Sequence, residues 1–240
     1  MKRALCLLLA STLMLSGCES TQQILKTIGS ETGGGGLTNA DIVAGLKEAL
    51  SVGARNSSNQ LSAIDGFFKN AAIKILLPEE AQKVEKTLRD LGLGSLVDNA
   101  ILSLNRAAED AATSAAPIFI DAIKGMTIQD ALGILQGGDF AATNYLKQKT
   151  TEPLTNAFRP VIEKSLQKVN ATKYWSDVFT AYNKFATNKI NPDLTAYVTG
   201  KALDGIFYQV GLEEQKIRKD PVARVSEILK KVFGSKQAQG

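Results

Sequence analysis

Pro78-Glu79-Glu80-Ala81-Gln82-Lys83-Val84-Glu85-Lys86-Thr87-Leu88-Arg89-Asp90-Leu91 reads as one amphipathic helix. Proline stands where a helix has no use for an N–H, and two acids follow at the positive end of the helix dipole. Val84, Leu88 and Leu91 then share one face, while Lys83, Lys86 and Arg89 take the other. The same period recurs on either side of this stretch. Thr38 or Asn39 can cap a helix with Ile42, Val43, Leu46, Ala49 and Leu50 on one stripe. Val161, Ile162, Ser165, Leu166 and Val169 repeat the pattern, as do Val222, Val225, Ile228, Leu229, Val232 and Phe233. Strand alternation of period two is sustained nowhere, so an all-α fold is predicted, with about nine to eleven helices. Joints are expected at Gly92 and Gly94, Gly125, Gly137-Gly138, Pro153, Pro160, Asn191-Pro192, Gly211, Asp220-Pro221 and Gly234. At one of them Asp139 is expected to cap the helix that carries Phe140, Tyr145 and Leu146.

The N-terminus carries a different kind of signal. Met1-Lys2-Arg3 is a basic head, Ala4 to Leu15 is apolar apart from Ser11 and Thr12, and Leu15-Ser16-Gly17-Cys18 follows. This order is a secretory signal, and the Leu-Ser-Gly-Cys ending resembles the lipobox of bacterial lipoproteins. The resemblance implies cleavage between Gly17 and Cys18, lipidation of the Cys18 thiol and acylation (palmitate or a similar chain) of the new amine. Glu19, rather than Asp, after the cysteine implies an outer-membrane destination, anchored at the periplasmic face. Several acyl chains anchor durably where one would not. Glu19 to Gly36 is polar and ends in four glycines, which suits a tether with a reach of about 20–25 Å. The expected organisation is therefore a signal peptide over residues 1–17, a lipidated tether over 18–36, one helical domain over 37–234 and a short tail over 235–240.

Composition removes several activities. The chain of 240 residues has no histidine, and its two cysteines are Cys6, inside the signal, and Cys18. No Ser-His-Asp or Cys-His pair, no histidine-ligated metal and no thiolate chemistry is then available to the domain. No cofactor and no metal are expected. The net charge of +4 falls to 26 basic against 24 acidic residues once Lys2 and Arg3 leave with the signal, so nucleic-acid binding is not expected.

The remaining candidates are weighed residue by residue. Ser165-Leu166-Gln167-Lys168 has Ser-x-x-Lys spacing, but the companion elements of penicillin-binding enzymes are missing, since Lys149-Thr150 is followed by Thr151. Glu79-Glu80 and Glu213-Glu214 are adjacent pairs that cannot converge on a substrate from one helix and read as helix-end acids. Trp175, Val178, Phe179, Tyr182, Phe185 and Ala186 form an apolar stripe that is either core or a pocket wall. The densest charge cluster runs from Glu213 to Arg224 and reads as a solvated helix pair. As a functional surface, it offers Glu213, Glu214, Arg218, Asp220 and Arg224 as a candidate interaction site, with the two arginines as forked donors to a carboxylate or phosphate.

Several strings together carry a family resemblance: Ala40 to Leu50, Asp65-Gly66-Phe67-Phe68-Lys69-Asn70, Ile73-Lys74-Ile75-Leu76-Leu77-Pro78, Gly138 to Thr143, Tyr197-Val198-Thr199 with Ala202-Leu203-Asp204-Gly205, and Glu213 to Arg224 closing in Leu229 to Gly234. From Leu37 to Gly234 the chain resembles an uncharacterised family of Gram-negative secreted proteins and lipoproteins, a domain of unknown function. The resemblance implies one domain in the envelope and assigns no catalytic residue. Three activities then compete. The first and preferred is a non-enzymatic interaction or scaffolding module with an envelope protein as partner, because the domain lacks histidine and cysteine and shows no convergent catalytic constellation. The second is a carrier or sensor of an apolar ligand held between helices. The third is a hydrolase working without histidine or cysteine. A carrier should contain an apolar cavity, whereas an interaction module should have a packed core and an exposed patch.

Overall fold

The computed structural model describes residues 38–168, 170–173, 175, 180, 183, 184, 189, 193–224 and 226–234. Those residues are mostly helical and contain no strand. Eight α-helices are present among them: α1 (Asn39–Ser62), α2 (Gln82–Asp90), α3 (Gly94–Ala112), α4 (Ala115–Lys124), α5 (Ile128–Gln136), α6 (Ala141–Gln167), α7 (Leu194–Lys219) and α8 (Glu227–Phe233). Two 3₁₀ turns, Glu79–Ala81 and Pro221–Ala223, lead into α2 and toward α8.

The long α6 and α7 pack along each other, α3 lies against α6, and α1 touches α3, α4, α5, α7 and α8. The core sits where these meet. Phe67, Phe119 and Phe158 are fully buried, and Phe119 meets Phe207 edge to face with centroids 5.9 Å apart. One face of α3 is nearly all alanine, with Ala107, Ala108, Ala111 and Ala112 wholly buried, so neighbouring backbones approach closely. The Ser58 hydroxyl crosses this contact from α1 to donate to the Ala112 carbonyl at 2.7 Å. A β-carbon at Gly205 of α7 would stand 2.4 Å from the Phe67 ring, which makes glycine a packing requirement there.

Three expected joints lie inside helices. Pro153 and Pro160 are within α6, and Gly211 is within α7. Both prolines are exposed and stand seven residues apart, two turns along the same side, so the carbonyls they strip of partners face water. The buried row Leu146, Thr150, Leu154, Phe158, Ile162 and Leu166 runs unbroken beneath them. Its packing outweighs a cost of about 3 kcal/mol per proline. The remaining joints within the described residues do end helices: Gly125 and Gly137 are C-caps, and Asp220 closes α7. Val222, expected on the apolar stripe of α8, is instead exposed on the 3₁₀ turn. Asn191-Pro192 lies outside the described residues, as do the signal, the tether, the C-terminal tail and the Val178 to Ala186 part of the aromatic stripe.

Residues 63–78 connect α1 to the first 3₁₀ turn without a regular element. Three side chains of α3 hold this connection. Asn105 accepts from the Ile75 N–H at 2.9 Å and donates to the Ile75 carbonyl at 2.8 Å, which is the pattern of a strand neighbour supplied by one amide. Glu109 accepts from the N–H groups of Phe67 and Phe68 at 3.1 and 3.2 Å and pairs with Arg106. Arg106 in turn reaches Asp65, which adopts a positive φ of 71° at the turn. Hydrogen bonds from Lys69 and Arg106 hold the Asp65 carboxyl below its ordinary range.

Candidate functional site

A hairpin of two helices builds an apolar concavity. The chain leaves α2 through Gly92, whose φ of 77° suits glycine, with Gly92 N–H donating to Arg89 O and Leu93 N–H to Leu88 O at 3.0 and 2.8 Å. This is a Schellman closure, and it turns α2 back along α3. The facing apolar rows leave a cavity of about 560 Å³ between them. Leu77, Ala81, Val84 and Leu88 form one wall, and Leu96, Val97, Ala100 and Leu104 form the other. Trp175 and Leu194 close a third side, with Trp175 and Leu77 each packed against Ala81.

The polar groups at the cavity are mostly spent on one another. Glu85 pairs with Arg89, which also pairs with Asp98, and the Ser103 hydroxyl donates to the Asn99 carbonyl. The interior is thus an oily slot with a few polar atoms at its edge, as in small-molecule sites. No residue of α2 is buried, although its apolar stripe is pronounced. Leu96 of the lining is 57% exposed, and Leu91 and Leu93, in the turn between the two helices, are 69% and 42% exposed. The helix therefore covers a cavity instead of filling it.

The candidate interaction residues sit elsewhere and are mostly internal. Glu213, Glu214 and Arg224 are buried, Arg218 is nearly so, and Asp220 alone of the five is exposed. The run is therefore not a solvated helix pair. Glu214 accepts from Ala142 N–H at 3.0 Å, from Thr143 N–H at 2.8 Å and from the Thr143 hydroxyl at 2.7 Å. It caps α6 from α7, the role expected of Asp139, which instead pairs with Lys219 at 2.7 Å. Arg218 ties Glu214 to the Ile134 carbonyl at the end of α5. Arg224 donates to the carbonyls of Ile217 and Arg218, and Asn56 donates to Glu213. Both guanidinium forks are thus spent on this internal lattice, which leaves little for a bound carboxylate or phosphate. The physical reason is convergence: α5, α6, α7 and the turn toward α8 all end here, and their free backbone groups need partners.

Residues 36–234 match the family described as "Protein of unknown function (DUF4197)". The chain belongs to that family. The DUF4197 match spans the cavity and the internal lattice alike, from the start of α1 to the end of α8. No curated protein and no solved structure matches the chain.

In this DUF4197 chain the other sequence candidates find structural uses. The Ser165 hydroxyl donates to Asp110 at 2.7 Å, so Ser-x-x-Lys forms no serine–amine pair. Glu79 and Glu80 open the 3₁₀ turn and are exposed. No three potential metal-ligating side chains cluster among the described residues. No helix among them is long and apolar enough to cross a membrane. Gly17 and Cys18 lie outside the described residues. Sequence reasoning missed Asn105, Glu109 and the buried role of Glu214. The available signal was a polar residue on an otherwise apolar helical row, Ile101, Asn105, Ala108 and Glu109 in α3.

Proposed function

We propose that this protein is a non-enzymatic envelope lipoprotein that holds an apolar ligand in the slot between α2 and α3. In this reading Cys18 carries the lipid, the first 17 residues are removed, and the helical domain works at the periplasmic face of the outer membrane. The observation that carries it is the 560 Å³ apolar cavity beneath a helix with no buried residue. The volume falls within the range of about 300–1,000 Å³ usual for ligand pockets. An amphipathic cover held by one hairpin can yield at low cost, because its lost contacts are few.

Trp175 is the only tryptophan in the chain and lines the slot, so its fluorescence reports occupancy directly. Oleate titrated into unlipidated protein beginning after Cys18 is expected to change Trp175 emission saturably at one equivalent. Ala100→Phe, which fills the slot from α3, is expected to weaken binding by about tenfold or more, since overpacking removes the space for the ligand. A linear, unsaturable response in both proteins refutes the reading.

Anchoring has its own test. Cys18→Ser is expected to abolish incorporation of labelled palmitate and to move the protein from the membrane fraction to the soluble one after lysis. Unchanged labelling would mean that Cys18 is not the anchor.

The exposed Leu91, Leu93 and Leu96 favour one second reading, an interaction module that seats an apolar helix of an envelope protein at this end of the hairpin. The two differ in what copurifies: a small apolar molecule for the carrier, a second polypeptide for the module.

A further inference from the structure

A second concavity, of about 360 Å³, lies between residues 72–76 and one face of α7. Its lining is mixed, with Ala72, Ile73, Ile75 and Leu76 beside several polar side chains. Lys74, Lys201, Asp204, Tyr197 and Tyr208 line it. The four residues from α7 are spaced four, three and four apart, which brings them onto a single face.

Its frame is fixed from three directions. The Asn105 amide clamps Ile75, the Tyr197 hydroxyl donates to the Leu76 carbonyl at 2.9 Å, and Gly205 lets α7 close onto the Phe67 ring. Burial, with Glu80 nearby, holds the Tyr197 phenol above its ordinary range, so it remains a donor at neutral pH. Two stretches far apart in the chain, Ile73 to Leu76 and the Tyr197 to Tyr208 face of α7, meet at this one place.

The Tyr197 hydroxyl is taken by the Leu76 carbonyl, but the charged groups here are not paired with each other. Lys69, Lys86, Lys124, Lys216, Lys219 and Lys230 form ion pairs on the surface, while Lys83, Lys147, Lys149 and Lys164 form none among the described residues. Lys74, Lys201 and Asp204 form none among the described residues, even though Lys201 and Asp204 are one helical turn apart. Lys74 instead lies 4.1 Å from the centre of the Phe68 ring, and Lys201 lies 5.9 Å from that of Tyr197. Ring faces orient an ammonium without neutralising it. Two oriented cations, one carboxylate acceptor and two phenol rings in one groove match a ligand that is anionic, flat-sided and rich in hydroxyls.

We infer that this groove binds a small anionic sugar, with its phosphate or carboxylate between Lys74 and Lys201, a hydroxyl on Asp204 and its ring face against Tyr197 and Tyr208. This site is independent of the apolar slot and holds whether or not the slot binds oleate.

The test is isothermal titration of the full-length lipidated protein in phosphatidylcholine nanodiscs with glucose 6-phosphate, glucuronate, glucose and inorganic phosphate. At least one anionic sugar is expected to bind about tenfold more tightly than glucose, through charge-assisted bonds to the lysines, and about tenfold more tightly than inorganic phosphate, through the Asp204 and tyrosine contacts. The tighter of the two assigns the anion as phosphate or carboxylate. Lys74→Gln and Lys201→Gln are each expected to weaken that binding about fivefold. Lys201 is exposed and has no ion pair among the described residues, so its variant tests the groove even if Lys74→Gln disturbs the fold. Absence of binding by both anionic sugars, equal binding of inorganic phosphate, or undiminished affinity in Lys201→Gln overturns the inference.

Discussion

Glu214→Ala is expected to destabilise the domain by about 3–5 kcal/mol, the cost of stripping one partner from a buried ion pair. Arg218 would keep its place, about 11% exposed, with the Ile134 carbonyl as its remaining partner in that contact. The N–H groups of Ala142 and Thr143 would lose their acceptor at the first turn of α6, in a buried setting that water reaches poorly. For a domain of this size the melting temperature should fall by about 2–4 °C per kcal/mol. Glu214→Gln keeps the shape and one acceptor, so it should lose less. The double variant Glu214→Leu with Arg218→Met should be milder than the sum of the two single changes, because neither leaves a charge stranded. Urea unfolding of these variants beside the wild type measures all of this. A loss below about 1 kcal/mol for Glu214→Ala would show a surface acid instead of an internal cap.

Glu109→Ala is the second large effect, about 2–4 kcal/mol, mainly the cost of leaving two backbone amides without an acceptor. It deprives Phe67 and Phe68 of their amide acceptor and leaves Arg106 with Asp65 alone among these carboxylates. Its consequences reach function, because residues 63–78 carry both Leu77 of the slot and Lys74 of the groove. Glu109→Gln retains an acceptor for the two amides and should cost roughly 1–2 kcal/mol. Amide exchange separates the variants: protection at Phe67 and Phe68 should vanish in Glu109→Ala and persist in part in Glu109→Gln. Equal protection in both would mean that the connection is held by its apolar contacts alone.

The helices are legible because their stripes are local. Ile42, Leu46, Ala49 and Leu50 follow the 3.6-residue period within α1, and the core uses all of them. Pro153, Pro160 and Gly211 mislead because their effect depends on which side faces water or a neighbour, and that side is set by α3, α7 and the Phe140 ring. The charge run at Glu213 to Arg224 misleads for a parallel reason. Composition suggests solvent exposure, yet the helix ends gathering around it supply enough donors and acceptors to bury it. For the slot, Val84 and Leu88 are visible as an apolar face, but a face that caps a void and one that fills a core have the same sequence. The groove is out of reach altogether, since Lys74 and Lys201 are separated by more than 120 residues and only Asn105, Tyr197 and Gly205 bring them together.

Ligand holding is tested most directly by native mass spectrometry of the protein expressed in its own host and purified gently. One apolar molecule per chain is expected, lost in Ala100→Phe and retained in Lys201→Gln. A chain that flies clean of any adduct, with wild type and Ala100→Phe alike, would contradict it.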